Sequence, residues 1–145
     1  MALTENKNIQ FKEAQALSYE SFPVSASQTI YQSALIALDS SGYARHASDS
    51  STNTFAGIAL EYVDNSTGAS GAKTVKVYTQ GAFLLSTQGT VNYGDPVYVN
   101  TDVKVAVSGS DATAGVFVGH ALSSPASGQR YVRLEQRKTG YSNPV

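Results

Sequence analysis

Residues 55–85 read FAGIALEYVDNSTGASGAKTVKVYTQGAFLL, and two runs of strand-forming residues flank a turn rich in Asp, Asn, Ser, Thr and Gly. In the first run Ile58, Leu60 and Tyr62 alternate with Ala59, Glu61 and Val63, the period of two expected of a strand with one buried side. In the second, Val75 and Val77 face one way and Thr74, Lys76 and Tyr78 the other. Residues 64–71 supply small and turn-forming side chains that accept positive φ and bond their own backbone. The reading is a hairpin with a long tip. Gly81, just ahead of the apolar run from Ala82 to Leu85, is expected to mark a bulge that re-aims the strand into the core.

The glycines of this loop invite comparison with phosphate-binding loops. Those work because a following helix offers its free N–H groups. Here Lys73-Thr74-Val75-Lys76-Val77 follows, a strand pattern, so an ordinary surface loop is the better reading.

The same grammar runs through most of the chain. Ile30, Tyr31 and Ala34 to Leu38 read as a strand, Asp39-Ser40-Ser41-Gly42 as a turn, and Tyr43 to His46 as the returning strand. Pro96 sits at the start of a strand, where its missing N–H does least harm. Val103, Val105 and Val107 share a face, Gly119 lets the strand from Val116 bend, and Val132 and Leu134 point inward from the last strand. The expected fold is all-β, a small barrel or sandwich of short antiparallel strands. Three parts are expected: an extended N-terminal arm over residues 1–28, a β-barrel domain over 29–136 and a polar tail over 137–145.

The arm is distinguished by having no glycine and by spaced apolar residues, so Phe11, Leu17, Tyr19 and Phe22 are its candidate contacts with an external surface. An edge strand with a frayed terminus is the alternative. Arg130, Arg133, Arg137 and Lys138 against the lone Glu135 form a candidate docking patch for an acidic protein surface. A solvated strand edge that resists aggregation explains the same charges.

Composition excludes several kinds of chemistry. The 145 residues suit one domain, only 14% are charged and the net charge is −1, which argues against a general nucleic-acid binder. With no cysteine, thiolate chemistry and cysteine-built zinc sites are ruled out. No run of about twenty apolar residues spans a bilayer, and the N-terminus lacks a signal peptide's apolar core, so a soluble product made in a cytoplasm is expected. His46 and His120 lie in different strands without a ligand motif, His46 expected at the surface and His120 partly buried. No nucleophile elbow occurs, and the aspartates fall at turns. Neither an enzyme nor a cofactor or metal site is expected.

Four segments in order, TIYQSALIALDSSGYARHAS, FAGIALEYVDNSTGASGAKTVKVYTQGAF, GDPVYVN and VGHALS, resemble the phage head decoration, or capsid cement, family across about residues 29 to 134. The resemblance implies a tulip- or SH3-like β-barrel on the outer capsid surface of the virion. It implies the major capsid protein as partner, head stabilisation as the function, and homotrimers at local three-fold positions. A carbohydrate- or receptor-binding β module of a tail or fibre is the alternative.

Overall fold

The computed structural model describes residues 3–9, 18–50, 54–107 and 112–135. Its described residues contain no helix and fold into twelve short strands. The strands are β1 (Tyr19–Pro23), β2 (Gln28–Ile30), β3 (Leu35–Leu38), β4 (Ala44–His46), β5 (Thr54–Ala59), β6 (Val63–Asn65), β7 (Thr74–Tyr78), β8 (Ala82–Thr87), β9 (Pro96–Val99), β10 (Lys104–Ala106), β11 (Phe117–Ala121) and β12 (Gln129–Leu134).

They form three sheets. A five-stranded antiparallel sheet has the order β1-β7-β5-β3-β4, a closed five-stranded barrel runs β10-β8-β12-β11-β9, and β2 and β6 pair as a ribbon. The expected all-β barrel is therefore present. One barrel seam, β8 with β10, is parallel, which departs from the wholly antiparallel expectation.

The central hairpin exists as β5 against β7, with Ile58 opposite Tyr78 and Ala59 opposite Val77. Its first strand, however, stops at Ala59. Leu60 N–H still donates to the Lys76 carbonyl at 2.9 Å, after which the chain leaves the sheet and Val63–Asn65 joins β2 instead. The alternation expected from Ile58 through Val63 thus breaks, and Tyr62 stands in solvent at 48% exposure.

Both faces of the sheet are covered. Leu35, Ala37, Phe55 and Ile58 join Phe83, Val97, Val99, Val105, Val118, Val132 and Leu134 in one continuous core. The barrel interior is thus filled by side chains and is not a channel. Ile36, Ala56, Ala59, Val75 and Val77 face the second core with Ile30, Val63, Val24 and Leu3. Within β5, Phe55 and Ile58 share one face and Ala56 and Ala59 the other, a spacing of three that strict alternation forbids. A register shift resolves it: Ile36 pairs with Gly57 but Ala37 pairs with Phe55, leaving Ala56 as the extra residue of a bulge. A Cβ on Gly57 would lie 1.9 Å from the Tyr78 carbonyl oxygen, so the neighbouring strand requires glycine there.

Gly81, expected as a bulge, lies between β7 and β8, where φ of +124° carries the chain from sheet to barrel. Gly119 behaves as expected. A register shift against β9 bends β11, and a Cβ there would meet the Arg133 carbonyl oxygen at 1.8 Å.

The segment expected as an arm is in large part docked on its own domain. Tyr19–Pro23 is the edge strand of the sheet, paired residue by residue with β7, because Phe22 and the adjoining Val24 have apolar surface to bury on the second core. Leu3 is buried there too, and Lys7 N–H donates to the Gln32 carbonyl at 3.2 Å. Phe11 and Leu17 lie outside the described residues.

Candidate docking surfaces and a buried polar clasp

Of the four candidate arm contacts, the two described ones have different environments. Tyr19 is 58% exposed at the start of β1, with the Lys76 ammonium 5.9 Å from its ring centre. Phe22, on the opposite face by strand alternation, packs partly against the second core. Tyr19 is thus presented outward and Phe22 inward.

The main-chain groups along this edge follow from the pairing. Thr79 N–H donates to the Ser18 carbonyl and Val24 N–H to the Lys73 carbonyl, each at 2.9 Å. In an antiparallel ladder this points the main-chain groups of Tyr19 and Ser21 away from β7. Pro23 then ends the strand without an outward N–H.

Of the candidate basic patch, the two described members, Arg130 and Arg133, do not share a face. Arg130 and Arg133 are three apart on β12, so they point to opposite faces of the strand. Arg130 is half-buried and donates from Nη1 to the Leu122 carbonyl at 2.6 Å. Arg133 is exposed on the outer barrel wall, opposite His120 on β11. Beside it His120 Nδ1 pairs with the Glu135 carboxylate, both about half in solvent. Arg137 and Lys138 lie outside the described residues.

Aromatic rings decorate this same wall. Tyr98 and Phe117 meet edge-on at 5.7 Å, and Phe117 and His120 at 5.6 Å. Elsewhere the ring of Tyr62 lies 5.5 Å from that of Tyr31. Tyr93 is 74% exposed in the turn before β9, where Asn92 N–H donates to Asp95.

His120 is partly buried, as expected, whereas His46, expected at the surface, is the more buried of the two and lies between two acceptors. His46 Nδ1–H donates to Asp102 Oδ2 and Nε2–H to the Thr29 carbonyl, each at 2.5 Å. A carboxylate and a carbonyl both accept, so the geometry calls for the doubly protonated imidazolium. Burial alone pulls the imidazole pKa down. The Asp102 carboxylate and the Thr29 carbonyl outweigh that, and the net shift is upward from 6.5.

Asp102, 2% exposed, sits in the turn between β9 and β10. Its Oδ2 also receives Leu3 N–H at 2.7 Å, and its main-chain carbonyl receives Leu35 N–H at 2.8 Å. One carboxylate therefore ties the N-terminal segment, the barrel turn and the sheet edge together. Sequence reading placed Asp102 as a local turn cap. The partners lie 56 and 99 positions away, so no local spacing signals them.

A second buried polar side chain closes the long loop of the central hairpin. Asn65 Nδ2 faces the carbonyls of Val24, Ser25 and Ala69 at 3.4, 3.0 and 3.1 Å. Among the described residues no group of three His, Asp or Glu side chains is placed to hold a metal ion. What the geometry offers is surface, in the form of an open strand edge with an exposed tyrosine and a barrel wall carrying exposed and half-exposed charge.

The chain is similar to a known family and to a solved structure. The family model described as "Structural cement protein (E217 gp24/Pam3 gp6)" matches residues 13–137. Among solved structures, the crystal structure of the head fiber gp8.5 N base in bacteriophage phi29 superposes with a TM-score of 0.50 at 16% identity. That match covers 86% of this chain and 100% of the other, a likeness of fold. No curated protein matches the sequence.

Proposed function

The chain belongs to the phage structural cement protein family, and from that premise we propose that it binds the outer surface of the assembled, expanded head and stabilises it. The family match across residues 13–137 carries this reading. The major capsid protein is the partner, and the assembly on the head is a homotrimer at local three-fold positions.

The physics of such a role needs no reacting group. A protein that binds the expanded lattice but not dispersed subunits stabilises the lattice by mass action, by about 1.4 kcal/mol per tenfold excess over Kd. Three joined copies raise the apparent affinity by about 10² or more through effective concentration. The contacts we assign are Tyr19 on the open edge of β1, with Phe11 and Leu17 from the preceding segment. Phe22 supports that edge from the inner face. Arg133 on the barrel wall adds a contact to an acidic capsid surface.

Co-sedimentation with mature heads and with unexpanded shells tests this. Binding to mature heads alone is the expected result, and equal or absent binding to both rejects it. Truncating residues 1–28 is the wrong instrument, since it removes β1 and the Leu3 contact along with any arm. Tyr19→Ser changes an exposed side chain and should weaken head binding while retaining the melting temperature, and adding Phe11→Ser and Leu17→Ser should deepen the loss of binding.

A further inference from the structure

We propose that His46 and Asp102 form a proton-operated latch that holds the N-terminal strap, residues 3–9, on the body of the domain. The latch is closed while the imidazole carries both protons and loosened once it loses one. This inference is independent of the capsid role.

The strap is held at few points. Leu3 N–H donates to Asp102 Oδ2, the Leu3 side chain fills a place in the second core, and Ile9 packs partly against the first. Between them Gln32 clasps the strap, its N–H donating to Asn6 Oδ1 at 2.8 Å and its carbonyl accepting Lys7 N–H at 3.2 Å. The residues from Thr4 to Asn8 are otherwise exposed. Segments with few buried contacts open at low free-energy cost, so the state of one anchoring group decides their population.

Asp102 is that anchor, and His46 fixes it. Among the described residues Asp102 Oδ1 has no hydrogen-bond partner and is buried, so there the carboxylate holds its two donors through Oδ2. Loss of one imidazole proton leaves two acceptors, Asp102 Oδ2 and the Thr29 carbonyl, with a single donor between them. It also strips a buried carboxylate of its counter-cation, a state that is costly to keep buried. Water entry relieves it, and the Leu3 end of the strap is the cover that must move.

The surroundings concentrate control in this pair. From β3 His46 faces the apolar Ile36, and from the segment after β2 the ring of Tyr31 at 6.3 Å. Arg45, next to it on β4, opposes the protonated form, and Asp102 from the β9–β10 turn favours it. His120 offers an internal control, since its pair with Glu135 is about half in solvent.

The test uses the full-length, isotope-labelled protein. The ring signals of His46 are followed by NMR between about pH 5 and about pH 9, together with amide exchange of Leu3 and Lys7 corrected for base catalysis. The expected result is a His46 midpoint above that of an exposed histidine, with strap protection falling about tenfold or more through the same midpoint. His46→Gln should leave the strap loose at every pH. Should that variant fail to fold, the wild-type titration alone decides. Strap protection that is unchanged across the His46 midpoint, or that falls on the acid side, overturns the proposal.

Discussion

Asp102 Oδ2 lies 2.5 Å from His46 Nδ1 across 56 positions of sequence, and it is the point where the N-terminal segment, the sheet and the barrel are joined by polar contacts. Removing one partner of such a buried pair leaves an uncompensated group. Asp102→Ala should therefore cost about 3–5 kcal/mol in denaturant unfolding. The double variant with His46→Ala should lose less than the sum of the two single changes, because the orphaned imidazole is gone as well. Strictly additive losses would mean that the two side chains do not interact.

The upward shift of His46 also sets the pH dependence of global stability. A histidine whose folded pKa is raised binds its proton more tightly when folded, so its contribution is fully present below about 6.5, the unfolded value. That contribution is lost as pH rises from there through the folded pKa. Melting temperature should therefore decline as pH rises above about 6.5, and His46→Gln should flatten that decline. The check is a series of thermal scans at constant ionic strength.

Two glycines are required by close approach of backbone to backbone. A Cβ at Gly57 or Gly119 would lie within 1.9 Å of a carbonyl oxygen on the adjoining strand. Gly57→Ala and Gly119→Ala should each cost about 1–3 kcal/mol or more, by forcing strands apart. Gly94 has φ of +88° but open space around its missing Cβ, and Asn tolerates that conformation. Gly94→Asn should stay within about 0.5 kcal/mol of wild type. Equal losses at all three positions would refute the steric account.

These contrasts mark where sequence reading succeeds and where it stops. Val75 and Val77 against Lys76, and Val132 and Leu134 against Arg133, show the period of two because each strand has one covered face. The turn at Asp39 is equally legible. Its Oδ1 receives the N–H groups of Ser41 and Tyr43, and Gly42 takes φ of +87°. β5 defeats the same rule, since both of its faces are buried and the bulge at Ala56 resets the phase. Leu60 looks like a continuation of that strand, yet Val63–Asn65 finds β2, a partner 35 positions upstream at Thr29 and Asp64. The reading of residues 1–28 as an arm meets a similar limit. The apolar residues of β1 find cover in a core assembled from distant strands, which spacing within residues 1–28 cannot reveal. The Asp102 clasp joins residues with no local relation at all.

The two arginines of β12 separate a structural contact from a docking contact. Arg130 is half-buried and its guanidinium bonds the Leu122 carbonyl, so Arg130→Ala should cost about 1.5–3 kcal/mol of stability, the range for a hydrogen bond from a charged donor. Arg133 is exposed on the outer wall and its removal takes no packing with it. Arg133→Glu should leave the melting temperature nearly unchanged while reversing the local charge proposed to meet an acidic capsid surface. Because rim charges act mainly on encounter, the loss should fall on the association rate and shrink as salt is raised. Binding kinetics on immobilised mature heads at low and high salt measure this directly. A salt-independent rate, or an equal loss of affinity from Arg130→Ala, would place the docking face elsewhere than the outer wall of β12.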